Sequence, residues 1–274
     1  KAGSPVSQIL IKNNKSYGLV LENGDEIYAD KIVSNLDVKR TFLKVVEEKE
    51  LPSDFYKAVK NFKIRGSSGK LNIALDDLPI WKSIPVGDPA GTGDLHITQN
   101  IEEMEGAYDD WKDGKWSQFP YVDMCIPSIN DPTMAPQGKH YMSVFIQYVP
   151  YNLANGGWTE EKRLEFGKHV MNRIGNYSTN FNDIINHAEI RTPKEIEAEV
   201  GLTEGNIFQG ELTMDQLMFN RPVPGYAQYK TPIKNLYMCG SSTHPGGGVM
   251  GAPGANAARE ILKDLKMKIS THYI

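Results

Sequence analysis

The stretch Leu236–Glu260 constrains this chain more than any other. A short apolar run, Leu236 to Cys239, leads into a glycine-dense segment with Gly246-Gly247-Gly248, and then into Pro253-Gly254-Ala255-Asn256-Ala257-Ala258. The pattern predicts a buried strand, a turn of bare backbone and a helix that opens on small residues. A helix N-terminus offers free N–H groups and partial positive charge, which suits a phosphate or an electron-rich ring carbonyl. Close packing of a strand on a helix also calls for clustered glycine, so the pattern alone leaves both readings open. Gly254, Ala258, Ile261, Leu262 and Leu265 are expected to share one helix face, small residues first, with a crowded helix start.

The 274 residues are 40% hydrophobic with a net charge of -4, enough for a core, and the scattered Lys and Arg argue against nucleic acid as a partner. No apolar run approaches the length that spans a bilayer, and the start lacks a signal-peptide pattern. Cys125 and Cys239 stand far apart, and the six histidines form no i, i+4 pair, so no metal site is expected. A reducing, cytoplasmic setting is the expectation.

Along the chain, Val6–Lys12, Ser16–Glu22 and Glu26–Ala29 read as a meander turned at Asn23-Gly24, with a buried strand at 31–35 and helical character from Asp37 to Glu48. A helix over 52–62 is expected to take Ser53 as its N-cap. Strands are expected near 69–75, 94–99, 121–127, 140–149 and 187–192. Helices are expected over 101–114, 159–177 with Thr159 as cap, 181–186, and 193–201 with Pro at its first turn. Leu202–Tyr229, loop-rich and apolar, reads equally as a site lining or a surface connection.

The Leu-Tyr-Met-Cys-Gly, Thr-His-Pro-Gly-Gly-Gly-Val and Gly-Ala-Pro-Gly-x-Asn-Ala-Ala-Arg elements of Asn235–Leu262 resemble the C-terminal flavin motif of the phytoene-desaturase-like branch of the FAD-dependent amine oxidoreductase superfamily. Gly210-Glu211-Leu212-Thr213-x-Asp215-Gln216 and Arg221-Pro222 resemble the segment before that motif, and Val6–Asn35 resembles the point where such chains re-enter their FAD domain. The resemblance implies an α/β plus α+β architecture: the C-terminal part of a discontinuous, Rossmann-like FAD-binding domain with an inserted antiparallel-sheet substrate domain. The expected boundaries are 1–37, 38–230 and 231–274.

By motif position, Gly240 and Ser241 would approach the ribityl-pyrophosphate of FAD. Gly248, Val249 and Met250 would lie near the isoalloxazine edge, and Val6 near the adenine. The flavin would take a hydride from an apolar or amine-bearing substrate, and the family also permits redox-neutral isomerisation. His244, Gln216 and Arg221 are the candidates for a catalytic role. Against two of them stands a structural role: a ring hydrogen bond holding the loop for His244, a local carboxylate for Arg221.

The family carries a Gly-x-Gly-x-x-Gly strand–turn–helix near its N-terminus. Here Gly91-Thr92-Gly93 precedes Asp94-Leu95-His96 and lacks the third glycine. The expectation is therefore a C-terminal portion that needs a dinucleotide-binding segment as partner and is inactive alone. A non-catalytic scaffold or interaction domain is the alternative. Contact with a membrane is open to enzymes of lipid-soluble substrates, but no basic amphipathic helix calls for it.

Overall fold

The computed structural model describes residues 2–267. In chain order the elements are β1 (Val6–Lys12), β2 (Lys15–Leu21), β3 (Glu26–Tyr28), β4 (Ile32–Ser34), α1 (Val38–Leu43), α2 (Ser53–Asn61), β5 (Ser68–Leu75), β6 (Leu95–Ile97), α3 (Ile101–Lys112), β7 (Tyr121–Cys125), β8 (His140–Gln147), α4 (Glu160–Gly175), α5 (Phe181–Ile184), β9 (Ile185–Arg191), α6 (Pro193–Val200), β10 (Leu236–Met238) and α7 (Ala252–Asp264). They form two compact units, one from residues up to 65 together with those from 206 on, the other from 66 to 205. The division falls at 65/66 and 205/206 rather than at the expected 37/38 and 230/231. The reason is burial: Val38, Phe42, Phe55 and Val59, from α1 and α2, share one core with Ile32, Leu236 and Met238.

In the first unit β1, β2 and β3 make an antiparallel meander with Ile9 opposite Leu19. Its Asn23-Gly24 turn closes with Gly24 N–H donating to Leu21 O at 2.9 Å. β4 and β10 pair in parallel, Leu236 opposite Ile32 and Met238 opposite Ser34. All three β10 residues are buried, as a continuous apolar run in a parallel pair requires. Phe42, Phe55 and Tyr226 meet edge to face at 4.9 and 4.8 Å between ring centroids. The N-cap of α2 is Pro52, which makes no side-chain cap bond, and Ser53 is already helical. This departs from the expected Ser53 cap, because proline's fixed φ sets the chain entry where a hydroxyl would otherwise bond.

In the second unit five strands run β6-β7-β8-β5-β9, every pairing antiparallel. The three central strands β5, β7 and β8 alternate between buried and less buried residues. Leu71, Ile73, Met142, Val144, Ile146, Val122 and Met124 are buried on one face, where they share a core with Phe166, Val170 and Ile174 of α4. Thr159 caps α4, its side chain accepting from Lys162 N–H at 3.2 Å, and a Thr192–Glu195 capping box opens α6. Trp116 and Trp158 stack at 5.5 Å, and both contact Phe166 at 5.6 and 5.8 Å. Phe166→Ala should cost about 3–5 kcal/mol of stability and shift tryptophan emission to longer wavelength in the folded state. Urea titration followed by that emission checks both.

Candidate functional site

β4 and β10 are parallel, and each passes from its carboxyl end through a turn into a helix: β4 into α1, β10 into α7. In open α/β sheets such carboxyl ends are where ligands sit. The segment between β10 and α7 divides into two halves of opposite character.

The first half is clamped by the protein. Cys239 N–H donates to Ser34 O at 2.9 Å, and Thr243 N–H and its hydroxyl both donate to Gly240 O, at 3.0 and 2.8 Å. Ser242 is fully buried; its hydroxyl donates to Gln209 O at 2.6 Å and accepts from Val38 N–H at 3.0 Å. Tyr229 donates its hydroxyl to His244 O at 2.8 Å and accepts from the Asn256 amide at 2.9 Å, tying the loop to α7. Lys230 pairs with Asp264 at 2.7 Å, and Tyr237 donates to the same carboxylate at 2.9 Å. Burial, followed by that hydrogen bond, pushes the Tyr237 phenol up to about 12.

The second half is bare. Val249 is fully exposed, and Gly248 and Met250 are exposed with it. Among the described residues the N–H groups of Gly247, Gly248, Val249 and Met250 have no acceptor. Gly251 (φ +64) is the N-cap of α7, which has no side-chain cap bond. A Cβ added at Gly251 or Gly254 would meet nothing within 4 Å. The expected crowding of this helix start is not found: α7 packs through Pro253 and Ala257, one position away from the predicted Gly254/Ala258 face. The small residues Gly254 and Ala258 instead line open space, and bare donors at an uncapped helix N-terminus form a cradle for an anion or a ring carbonyl.

The predicted site residues are distributed as follows. Gly240 sits at the end of β10, but its smallness serves the protein: a Cβ there would lie 2.5 Å from Asn35 O and 2.7 Å from Gln209 Oε1. Ser241 has its carbonyl engaged by Arg221. Gly248, Val249 and Met250 belong to the bare half. Val6 lies on β1, in a different sheet of the same unit. His244 carries a buried Nδ1 with no hydrogen-bond partner among the described residues, so that nitrogen does not make the ring hydrogen bond expected to hold the loop. The loop hangs on the backbone carbonyl of His244 instead.

Gln216 and Arg221 both bond to backbone groups. Gln216, 6% exposed, accepts from Lys63 N–H at 2.6 Å and donates to Lys63 O and Glu211 O at 2.9 and 3.2 Å. Arg221 is 0% exposed. Its five donors all go to backbone carbonyls: Nε to Ser241, one terminal nitrogen to Glu211 and Gln216, the other to Phe208 and Gly210, at 2.7 to 3.4 Å. No carboxylate among the described residues partners it, which corrects the expected local ion pair. Burial pushes its guanidinium down to about 10, still charged at neutral pH. Ser242, Gln209, Tyr229 and Asn256 were not singled out in the sequence. Only Asn256 carried a signal, its place in the Gly-x-Asn-Ala-Ala-Arg element.

Elsewhere, the second unit holds an apolar cavity of about 480 Å³ lined by Trp81, Ile84, Val86, Ile126 and Ile129 among others. Met214, Met218 and Phe219 of the 202–229 segment are exposed. Among the described residues no His, Cys, Asp and Glu side chains group to hold a metal ion, and no helix is long and apolar enough to cross a membrane.

By sequence this chain is similar to an oxidoreductase-domain protein, to prolycopene isomerases and to diapophytoene desaturases, a likeness that marks it as amine oxidoreductase-like. The chain is 40% identical over 256 residues to pyridine nucleotide-disulfide oxidoreductase domain-containing protein 2 of Rattus norvegicus, covering 91% of this chain and 44% of that protein. It is 26% identical to prolycopene isomerase 2 of an Oncidium hybrid cultivar, covering 95% of this chain and 41% of that one. The chain thus spans less than half the length of these relatives. Among solved structures, an oxidoreductase from Methanosarcina mazei (TM-score 0.56, 20% identity, 95% of this chain and 49% of that) and cyclohexylamine oxidase from Brevibacterium oxydans (0.54, 11%, 96% and 48%) share its fold. No family model matches.

Replacing Arg221 by Met strands buried carbonyls at about 1–3 kcal/mol each. The expected loss is at least about 3 kcal/mol in urea unfolding, and Arg221→Lys should not restore it, since a point charge cannot reach the same carbonyls. Glu211 gives a pH-dependent test. Burial opposes its charge, but Arg65, bonded at 2.7 and 2.9 Å, outweighs burial and holds the carboxyl below its ordinary 4.5. A depressed carboxyl stabilises the fold above its unfolded value and loses that contribution as pH falls through the folded one. Glu211→Gln should therefore be less stable than the parent at pH 7, with the gap closing as the pH is lowered beneath 4.5.

Proposed function

We propose that the bare half of the loop and the N-terminus of α7 hold the ribityl and ring side of FAD in an oxidoreductase of the desaturase or dehydrogenase kind. The observation that carries this is the run of N–H groups from Gly247 to Met250 with no acceptor among the described residues, continuing into a helix without a side-chain cap whose Gly251 and Gly254 face open space. Close approach of a flat polar group requires bare backbone, and Gly248 (φ +132) and Gly251 (φ +64) supply it where L side chains are strained.

In this reading Gly240 and Ser241 lie on the ribityl-pyrophosphate side, and Gly248, Val249 and Met250 at the ring edge. Val6 belongs to the adenine side. When bound, the flavin accepts a hydride and so supplies the redox chemistry. The chain's own contribution is positional. Arg221 and Ser242 hold the loop's first half, Tyr229 and Asn256 fix it to α7, and the helix N-terminus stabilises negative charge that develops beside it. Val249 and Met250 are apolar and exclude water from whatever they cover. His244 carries a buried Nδ1 that has no hydrogen-bond partner among the described residues and so can serve a ligand.

The substrate is proposed to be apolar or amine-bearing. A relative 33% identical over 145 residues, named as a component of the limonene dehydrogenase of Castellaniella defragrans, supports the apolar option, and the fold shared with cyclohexylamine oxidase leaves the amine option standing. The adenine-side phosphates are assigned to a Gly-x-Gly-x-x-Gly segment outside these 274 residues, as partner or as part of a longer protein.

A flavin fluorescence titration tests the reading. The 274-residue chain should quench FAD weakly and saturably, Gly248→Val and Gly254→Val should abolish the quenching, and a separately supplied dinucleotide-binding segment should tighten it. A tight stoichiometric yellow complex of the chain alone would sink the divided site. No saturable binding even with the added segment would sink the flavin assignment.

A further inference from the structure

Lysines are scattered along the sequence, and the first unit gathers three of them. Lys12 ends β1 and Lys15 opens β2, and the register sets them directly opposite one another across Asn13 and Asn14, whose φ values are +53 and +57. Lys234, far along the chain, bridges to Lys15 in parallel. Backbone bonds fix the junction: Ser16 N–H donates to Lys234 O and Lys234 N–H to Asn14 O, both at 3.0 Å. Residues in register on neighbouring strands point to the same side, as do residues two apart on one strand. The three lysines therefore stand abreast, with Tyr17 on their side of β2.

Like charges in register destabilise a sheet, so this row works against the fold. Lysines elsewhere are matched: Lys63 with Asp215, Lys139 with Asp76 and Lys230 with Asp264, at 2.7 to 2.8 Å. Around Lys12, Lys15 and Lys234 no carboxylate among the described residues lies within ion-pair distance, although the chain as a whole carries a net charge of -4. The three side chains are exposed and, with Asn13 and Tyr17, line a concavity of about 560 Å³. The Tyr17 ring is held by stacking on Tyr28, 6.1 Å between centroids.

A row of unneutralised ammoniums beside a fixed aromatic ring is complementary to a multiply charged anion carried on a flat organic body. We propose that this concavity binds a nucleoside diphosphate. Lys12, Lys15 and Lys234 are the counter-cations of its two phosphates, and Tyr17 is the surface for its base. A singly charged anion would neutralise one lysine and leave the other two repelling each other, so the row selects for more than one negative charge. This site is separate from the proposed flavin site: Val6, on the adenine side there, begins β1 and Lys12 ends it, about 20 Å away at about 3.3 Å per residue. The assignment therefore does not depend on flavin binding.

Calorimetric titration of the 274-residue chain at low salt with ADP, inorganic pyrophosphate, adenosine and sulfate tests it. ADP should saturate at one equivalent and pyrophosphate should bind more weakly, while adenosine and sulfate should not saturate. The double variant Lys12→Met, Lys15→Met should weaken ADP on the order of tenfold, and it should melt at or above the parent temperature because it relieves repulsion within the row. Tyr17→Ala should weaken ADP on the order of tenfold, as loss of a stacked base does, and leave pyrophosphate unchanged. Gly248→Val, which removes the flavin quenching, should leave ADP binding intact. The proposal fails if ADP shows no saturable binding, if sulfate matches it, if the double lysine variant binds it equally, or if Tyr17→Ala weakens pyrophosphate as much as ADP. Loss of ADP binding in Gly248→Val would also overturn it, by moving the nucleotide to the flavin loop.

Discussion

A buried guanidinium with no acid to neutralise it among the described residues organises the first unit. Arg221 satisfies itself on five backbone carbonyls, four from the 208–216 segment and one from Ser241. Those carbonyls belong to irregular chain that no helix or strand would otherwise pair, and an unpaired buried carbonyl is costly. One side chain thus lets two loops share a core without secondary structure. Its planar fork explains why a single residue suffices, since five donors at fixed angles reach carbonyls that a lysine's point charge cannot.

The clamp decides which part of the glycine loop is protein and which is presented. Up to His244 every turn is tied: to Ser34, to Gln209, to Val38, to Tyr229. From Gly247 to Met250 nothing binds the N–H groups among the described residues, and side chains there point outward or are missing. Holding one half rigid lowers the ordering cost when the other half meets a ligand. The second unit divides its labour differently, by faces: alternation along its central strands gives the sheet an apolar side under α4 and a polar side on which Arg191 pairs with Glu189 and Glu199.

Much of this was legible from local pattern. The meander, its Asn23-Gly24 turn, the Thr159 cap and the helix opened by Pro193 follow from alternation, turn chemistry and capping, which act within a few residues. The readings that changed each involve a partner far along the chain. Gly240 is small because Asn35 O and Gln209 lie against it. Gln216 answers Lys63, and α1 and α2 join the first unit because β10 supplies their core. Helix α7 turns its Pro253/Ala257 side inward, though its small-residue face read as the packed one. Small residues fit equally against protein and against open space, so size alone cannot orient them.

The sequence by itself determined where the elements lie and that a glycine-rich turn joins the last strand to the last helix, because periodicity, turn residues and caps are local preferences. Only the tertiary structure decided that Arg221 is a carbonyl clamp with no carboxylate partner among the described residues. It also decided that Gly240 packs against protein while Gly251 and Gly254 face open space. These are questions of which atoms meet across long stretches of chain, and hydrogen-bond satisfaction in a buried site depends on that meeting alone.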